Sequence, residues 1–112
     1  MIEGFQEPAV VIANLAEPKE KFWGVLLSSS RAGITIRGIG LESFDDWLRQ
    51  VSRTAEEPTL GLVTMFVPLF RVERMFLDEN VGAVPSYSEL FERSVGQSPL
   101  DFLKTDKGEG PK

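Results

Sequence analysis

Residues 22–38, with the sequence FWGVLLSSSRAGITIRG, constrain the fold of this chain more than any other stretch. Two runs with the two-residue period of β-strands flank a turn of small polar residues. Phe22 and Trp23 point to opposite faces of the first run, and apolar residues continue on both faces. Gly24 lies inside this run, where glycine often marks a bend or a close approach of backbones. The stretch therefore predicts a bent β-hairpin.

Three further segments have the composition of strands. Residues 9–15 (AVVIANL) are apolar and rich in β-branched side chains. Residues 59–70 (TLGLVTMFVPLF) are apolar on both alternating faces, which predicts a strand covered on two sides. Pro68 has no N–H to donate, so we expect the strand to break there and another to begin near Val72.

The period changes to that of a helix in two places. Phe44, Trp47, Leu48 and Val51 recur at helical spacing, which predicts a helix near 43–54. Further helices are predicted near 86–104, where a serine–glutamate capping box begins at Ser86 and a second short helical segment follows.

These elements predict a mainly β fold with added helices. Five strands joined by short turns favour a small, bent antiparallel β-barrel, Sm-like or SH3-like, with one helix inserted near 43–54 and the others near 86–104. The alternative is an open α+β antiparallel sheet with the helices on one face. We expect one globular domain over residues 1–104 and a disordered tail over 105–112.

Composition excludes several chemistries. The 112 residues include no cysteine and no histidine, so serine–histidine and cysteine–histidine catalysis are excluded. No motif suggests a cofactor, a metal or a nucleophile with its base, so we expect a protein without enzymatic activity. The net charge of −5 opposes the binding of nucleic acid.

No apolar run reaches the roughly 20 residues of a membrane span, and the basic, apolar start of a secretory signal is absent, so we expect a cytoplasmic protein.

The pattern of apolar residues and glycines resembles that of the Sm-like (LSm-type) small β-barrel family. Residues 10–39 are similar to its first motif, and residues 60–79 to its second. The resemblance implies a barrel that assembles into an RNA-binding ring. Members of that family read RNA with aspartate and asparagine in the turn between strands two and three, whereas this chain has serines, Arg31 and Gly33 there. The bend between strands four and five is apolar here.

Candidate contacts to RNA or to another anion are few. A hydroxyl and three guanidinium groups could approach phosphate, and they belong to Ser29, Arg31, Arg37 and Arg71. Three carboxylates also cluster in the sequence, at Glu42, Asp45 and Asp46. Their positions at the start of a predicted helix are explained by its positive end, so they predict no metal site.

The apolar segment before and after Pro68 is the better candidate site. It is too apolar for a strand that faces solvent, which indicates an interface. The candidate interface residues are Leu62, Met65, Phe66, Val67, Leu69 and Phe70. The sequence therefore predicts an interaction or assembly module that associates with copies of itself, with an RNA-binding ring as the alternative. Whether the C-terminal helices or another chain cover this segment is left open.

Overall fold

The computed structural model describes residues 6–53 and 61–104. The predicted tail at 105–112 lies outside the described residues. Five strands and three helices follow one another along the chain: β1 (Ala9–Leu15), β2 (Glu20–Ser29), β3 (Gly33–Gly40), α1 (Phe44–Arg53), β4 (Val63–Pro68), β5 (Val72–Leu77), α2 (Tyr87–Val95) and α3 (Pro99–Lys104). Short 3₁₀ turns precede α1 at Leu41–Ser43 and join β4 to β5 at Leu69–Arg71.

The five strands form one antiparallel sheet in the order β4-β3-β2-β1-β5. The predicted strand break at Pro68, the new strand from Val72 and the helix near 43–54 are all confirmed. Among the described residues no ladder joins β4 to β5, so the sheet is open and has two edges. This arrangement fits the α+β alternative. No described helix is long and apolar enough to cross a membrane.

The turn between β4 and β5 requires a strong bend in the sheet. In a flat sheet these two edge strands would lie about 19 Å apart, four strand spacings of about 4.8 Å. They would also run in the same direction, so that the end of β4 and the start of β5 would lie at opposite ends. The three residues of the turn advance only about 6 Å as a 3₁₀ helix. The sheet must therefore roll up until its two edges approach each other at this turn.

Two glycines that face each other across β2 and β3 permit part of this bend. Gly24 pairs with Gly38, and a Cβ on Gly38 would lie 2.0 Å from the carbonyl oxygen of Trp23. A Cβ on Gly24 would lie 2.3 Å from the carbonyl oxygen of Arg37. The two backbones thus approach more closely than any other residue type allows. The close approach expected at Gly24 is present.

The bent sheet separates two apolar cores. The inner core lies on the face that the sheet curls around and draws on β1 to β4; its buried members are Val11, Ala13, Leu15, Phe22, Leu26, Ile34, Ile36 and Val67. Val72 and Met75 from β5 pack against it. Both edge strands therefore contribute to one core, which is what rolling up the sheet accomplishes.

The helices cover the opposite face and form the helix-side core. Its buried members are Trp23, Val25, Ile39, Phe44, Trp47, Val51, Phe91, Phe102 and Leu103. Trp23 is completely buried and meets Phe44 edge-on at 5.1 Å between ring centroids, while Trp47 stacks on Phe91 at 5.7 Å. Aromatic pairs in these geometries add to the free energy gained from burial. This core holds all three helices on the sheet.

We predict that Gly38→Ala destabilises the protein, because the new Cβ would overlap backbone atoms that cannot move independently. Overpacking of this kind costs about 2 kcal/mol or more. Gly40→Ala in the same strand is the matched control, since a Cβ there meets nothing within 4 Å. Urea denaturation followed by tryptophan fluorescence measures both. Equal stabilities for the two variants would show that the sheet does not need the glycine pair.

Candidate interaction surface

Asp78 fixes the position of α2 against the sheet. It follows β5 directly, and its carboxylate accepts hydrogen bonds from the Trp23 indole Nε1 at 2.9 Å and from the backbone amides of Tyr87 at 3.1 Å and Ser88 at 2.6 Å. The Ser88 hydroxyl donates a fourth bond at 2.7 Å. A carboxylate also suits the positive end of a helix. The end of the sheet, the helix-side core and α2 are therefore held by a single side chain.

The predicted capping box at Ser86 is half confirmed. The Ser86 hydroxyl accepts a hydrogen bond from the backbone amide of Glu89, as a helix cap requires. The reciprocal bond comes from elsewhere: the amide of Ser86 donates to the Asn80 side chain at 2.7 Å, and the Glu89 carboxylate pairs with Arg93. Ser86 therefore caps the start of α2, and Asp78 and Asn80 accept hydrogen bonds from the neighbouring amides and hold the loop before the helix in place.

Three of the four candidate RNA contacts already have partners within the chain. Ser29 donates to Glu7, while Arg37 donates to the Leu103 carbonyl and to the Thr64 hydroxyl, each at 2.8 Å. Arg71 donates to the carbonyls of Ala16 and Pro18, each at 2.7 Å. These groups hold the sheet and α3 together. Only Arg31 of the four is exposed with no hydrogen bond or ion pair to any described residue.

The acidic side chains take the positions expected from the sequence. Glu42 lies in the 3₁₀ turn before α1, and Asp45 and Asp46 lie in the first turn of α1, where Asp46 pairs with Arg49. Within residues 6–53 and 61–104, no group of three metal-ligating side chains is close enough to hold an ion. Trp23 is buried in the helix-side core, so its ring is not available to stack on a base.

The candidate interface on β4 divides into buried and exposed residues. Val67 is buried in the inner core, Met65 packs against that core, and Leu62 packs against the helix-side core. Phe66 lies on the other face of the strand and is 55% exposed, and Val63 near the strand's start is also exposed. The described residues of the same chain therefore do not supply the expected cover on both faces of this strand. The C-terminal helices meet over β2 instead and leave Phe66 open to solvent.

Phe70, in the turn between β4 and β5, is the most exposed large apolar residue that the structure describes, at 86%. The turn that carries it is held on both sides. The amide of Leu69 donates to the Ala32 carbonyl at 2.9 Å, and the carbonyl of Arg71 accepts from the Ala16 amide at 2.8 Å. Phe70 is therefore an aromatic side chain projecting from a rigid turn.

A second apolar surface lies beside the far end of β5. Phe76 and Leu77 are exposed there, and a short turn after the strand presents Val81 and Val84, which are 70% and 66% exposed. Val81 and Val84 exchange two backbone hydrogen bonds, so this turn is also rigid. Between the turn and the strand runs a groove of about 430 Å³, lined by Ile12, Met75, Phe76, Leu77, Asp78, Glu79 and Val81.

The sequence indicated the first surface but not the second. The run around Pro68 is recognisable because it is long, apolar and broken by proline. Phe76 and Leu77 belong to an ordinary strand pattern, and only the strand order shows that β5 lies at an edge of the described sheet. Two valines separated by Gly82 and Ala83 are the one local signal of this surface.

Comparisons with known proteins identify no relative of this chain. No family model, no curated protein sequence and no solved structure matches it. The function is therefore argued from the surfaces described above.

We predict that Asp78→Ala destabilises the protein by about 3 kcal/mol, since it removes a charged acceptor and leaves several partly buried donors without a partner. Glu92→Ala is the matched control, because Glu92 is an exposed carboxylate on α2. Urea denaturation with circular dichroism detection gives both free energies of unfolding. A loss at Asp78 no greater than that at Glu92 would contradict the anchoring role assigned to this carboxylate.

Proposed function

We propose that this protein is a non-enzymatic assembly module that associates with copies of itself through the segment at residues 62–70. The observation that carries the proposal is the apolar edge of β4, which pairs with no described strand on its outer side, with Phe66 exposed on the strand and Phe70 exposed just after it. Free edge strands readily pair with another chain, and soluble proteins usually blunt them with charges. β4, with the sequence VTMFVP, has no charged residue to prevent such pairing.

The second edge supports association between identical chains. No described strand pairs with the outer side of β5, which carries the charged Glu73 and Arg74 in its first half and the exposed apolar Phe76 and Leu77 at its far end. A chain with an apolar edge at β4 and exposed apolar residues beside the end of β5 can contact two neighbours at once. Aromatic side chains such as those of Phe66 and Phe70 are the residue type that contributes most to protein interfaces.

The finer fold assignment is part of this proposal. We propose that the bent sheet is a small barrel of the Sm-like type, left open between β4 and β5. The strand order, the strong bend, the short turn between the edge strands and the helix inserted after β3 support it. The preferred cellular location remains the cytoplasm.

The RNA-binding ring is the alternative, with weaker support. Ser29, Arg37 and Arg71 are engaged within the chain, which leaves Arg31 as the available cation of the four candidates. Counterion release requires several phosphate contacts at once. A titration with single-stranded RNA at two salt concentrations separates the two functions: binding that weakens with salt would favour the alternative.

We predict that the purified protein is an oligomer whose mass, measured by light scattering after gel filtration, is a multiple of 12.5 kDa. Phe66→Lys should weaken association at least tenfold, because a lysine on an edge strand opposes pairing with another chain. Phe66 is largely exposed, so the monomer should fold normally.

Ser94→Lys is the matched control for this variant. Ser94 is exposed on α2, away from both edges, and the substitution adds the same charge. It should leave the mass of the oligomer unchanged. A wild-type protein that stays at 12.5 kDa up to millimolar concentration would refute the proposed function. Equal effects of the two lysine substitutions would show that the interface does not lie on β4.

A further inference from the structure

We infer that Phe70 of one copy inserts into the groove beside β5 of a second copy, and that Arg31 then faces Glu79 of that copy. This inference rests on the proposed self-association and specifies which surfaces meet. It makes the contact head-to-tail, because the inserted residue and the groove are different parts of the chain.

The backbone around Phe70 is held in place in the single chain, before a second copy binds. Hydrogen bonds from Leu69 to Ala32 and from Ala16 to Arg71 hold the backbone on both sides of Phe70, and the Arg71 side chain adds two more. A rigid aromatic side chain loses little conformational entropy on binding, which is typical of residues that dominate an interface. Phe66 is less free, since its ring lies against Gly33 of its own sheet.

The groove offers an apolar surface with defined walls. Ile12 and Met75 lie in it, Phe76 and Leu77 are its exposed strand residues, and Val81 stands on the opposite side. Its wall at Val81 is fixed by the paired backbone bonds to Val84, and its end is fixed by the four bonds to Asp78. Such a groove matches an aromatic ring better than it matches a charged or extended polar segment.

The charges around the two surfaces are complementary. Arg31 precedes Ala32, whose carbonyl is bonded to Leu69 next to Phe70, so Arg31 belongs to the turn that contacts the turn of Phe70. Glu79 lines the groove. Both are exposed, and neither forms a hydrogen bond or ion pair with a described residue. One exposed cation beside the inserted residue and one exposed carboxylate on the groove favour this pair of surfaces, and the carboxylates oppose groove-to-groove contact.

The contact cannot form within one chain. Phe70 lies just before β5, and the groove lies beside the last residues of β5 and the loop after it. A strand of six residues is about 20 Å long, which separates the two features by more than a side chain can reach. Head-to-tail contacts of this kind close into a ring or continue as a filament.

Phe70→Ser tests the inserted residue. We expect the dissociation constant measured by concentration-dependent light scattering to rise at least tenfold, with an unchanged far-ultraviolet circular dichroism spectrum. Val84→Ser, which removes an exposed apolar side chain that does not line the groove, should change it less than threefold. An oligomer that responds equally to both substitutions would overturn the inference.

Charge reversal tests the pairing itself. Arg31→Glu and Glu79→Arg should each weaken association severalfold, and the double variant should restore most of the loss. A mixture of the two single variants should also recover, because copies that alternate place opposite charges together at every contact. Additive losses in the double variant would overturn the Arg31–Glu79 contact.

Failure of this inference is distinguishable from failure of the proposed function. A monomeric wild-type protein refutes both. The oligomer could instead dissociate on Phe66→Lys but stay intact with Phe70→Ser and with the charge reversals. That result would support assembly through β4 and refute only the insertion of Phe70 into the groove.

Discussion

The three-residue turn between β4 and β5 is the constraint on which the rest of the structure depends. It joins the two outermost strands of a five-stranded sheet, so the sheet has to roll up and bring residues of both edges into one inner core. The bend is accommodated where Gly24 faces Gly38 and is fixed where Arg71 bonds to the turn between β1 and β2. Rolling up the sheet buries its inner face without any helix, which leaves all three helices for the outer face.

The outer face has a different organisation, in which one polar anchor positions an apolar layer. Asp78 receives four hydrogen bonds, from Trp23 in β2 and from the start of α2, and so couples the end of the sheet to the helices. A carboxylate can do this because the indole N–H and the first helix amides all need an acceptor once water is excluded. The helices then centre on Trp23, with α3 packed on β1 to β3, and this arrangement leaves Phe66 exposed.

Local patterns of the sequence predicted the elements well, because period, proline and capping act over a few residues. The break at Pro68, the close approach at Gly24 and the cap at Ser86 are all of this kind. Exposure was harder to predict. Whether Phe66 or Phe76 is covered depends on which strand lies beside it and where the helices settle, and neither is encoded within the segment itself. For the same reason Arg37 and Arg71 looked like free cations in the sequence, although backbone carbonyls from distant residues satisfy them.

The positions of the exposed apolar residues also explain why the fold favours head-to-tail contacts between copies. They fall into two groups, one on β4 and the turn after it and one beside the far end of β5, so the length of β5 separates them. A symmetric pair of chains using only one group would leave the other in water. Contact between unlike groups covers both on every chain, and the attraction between Arg31 and Glu79 offsets part of the repulsion that the net charge of −5 creates between copies. The bend that brings the two edge strands together at one turn is thus also what sets the two surfaces at opposite ends of β5.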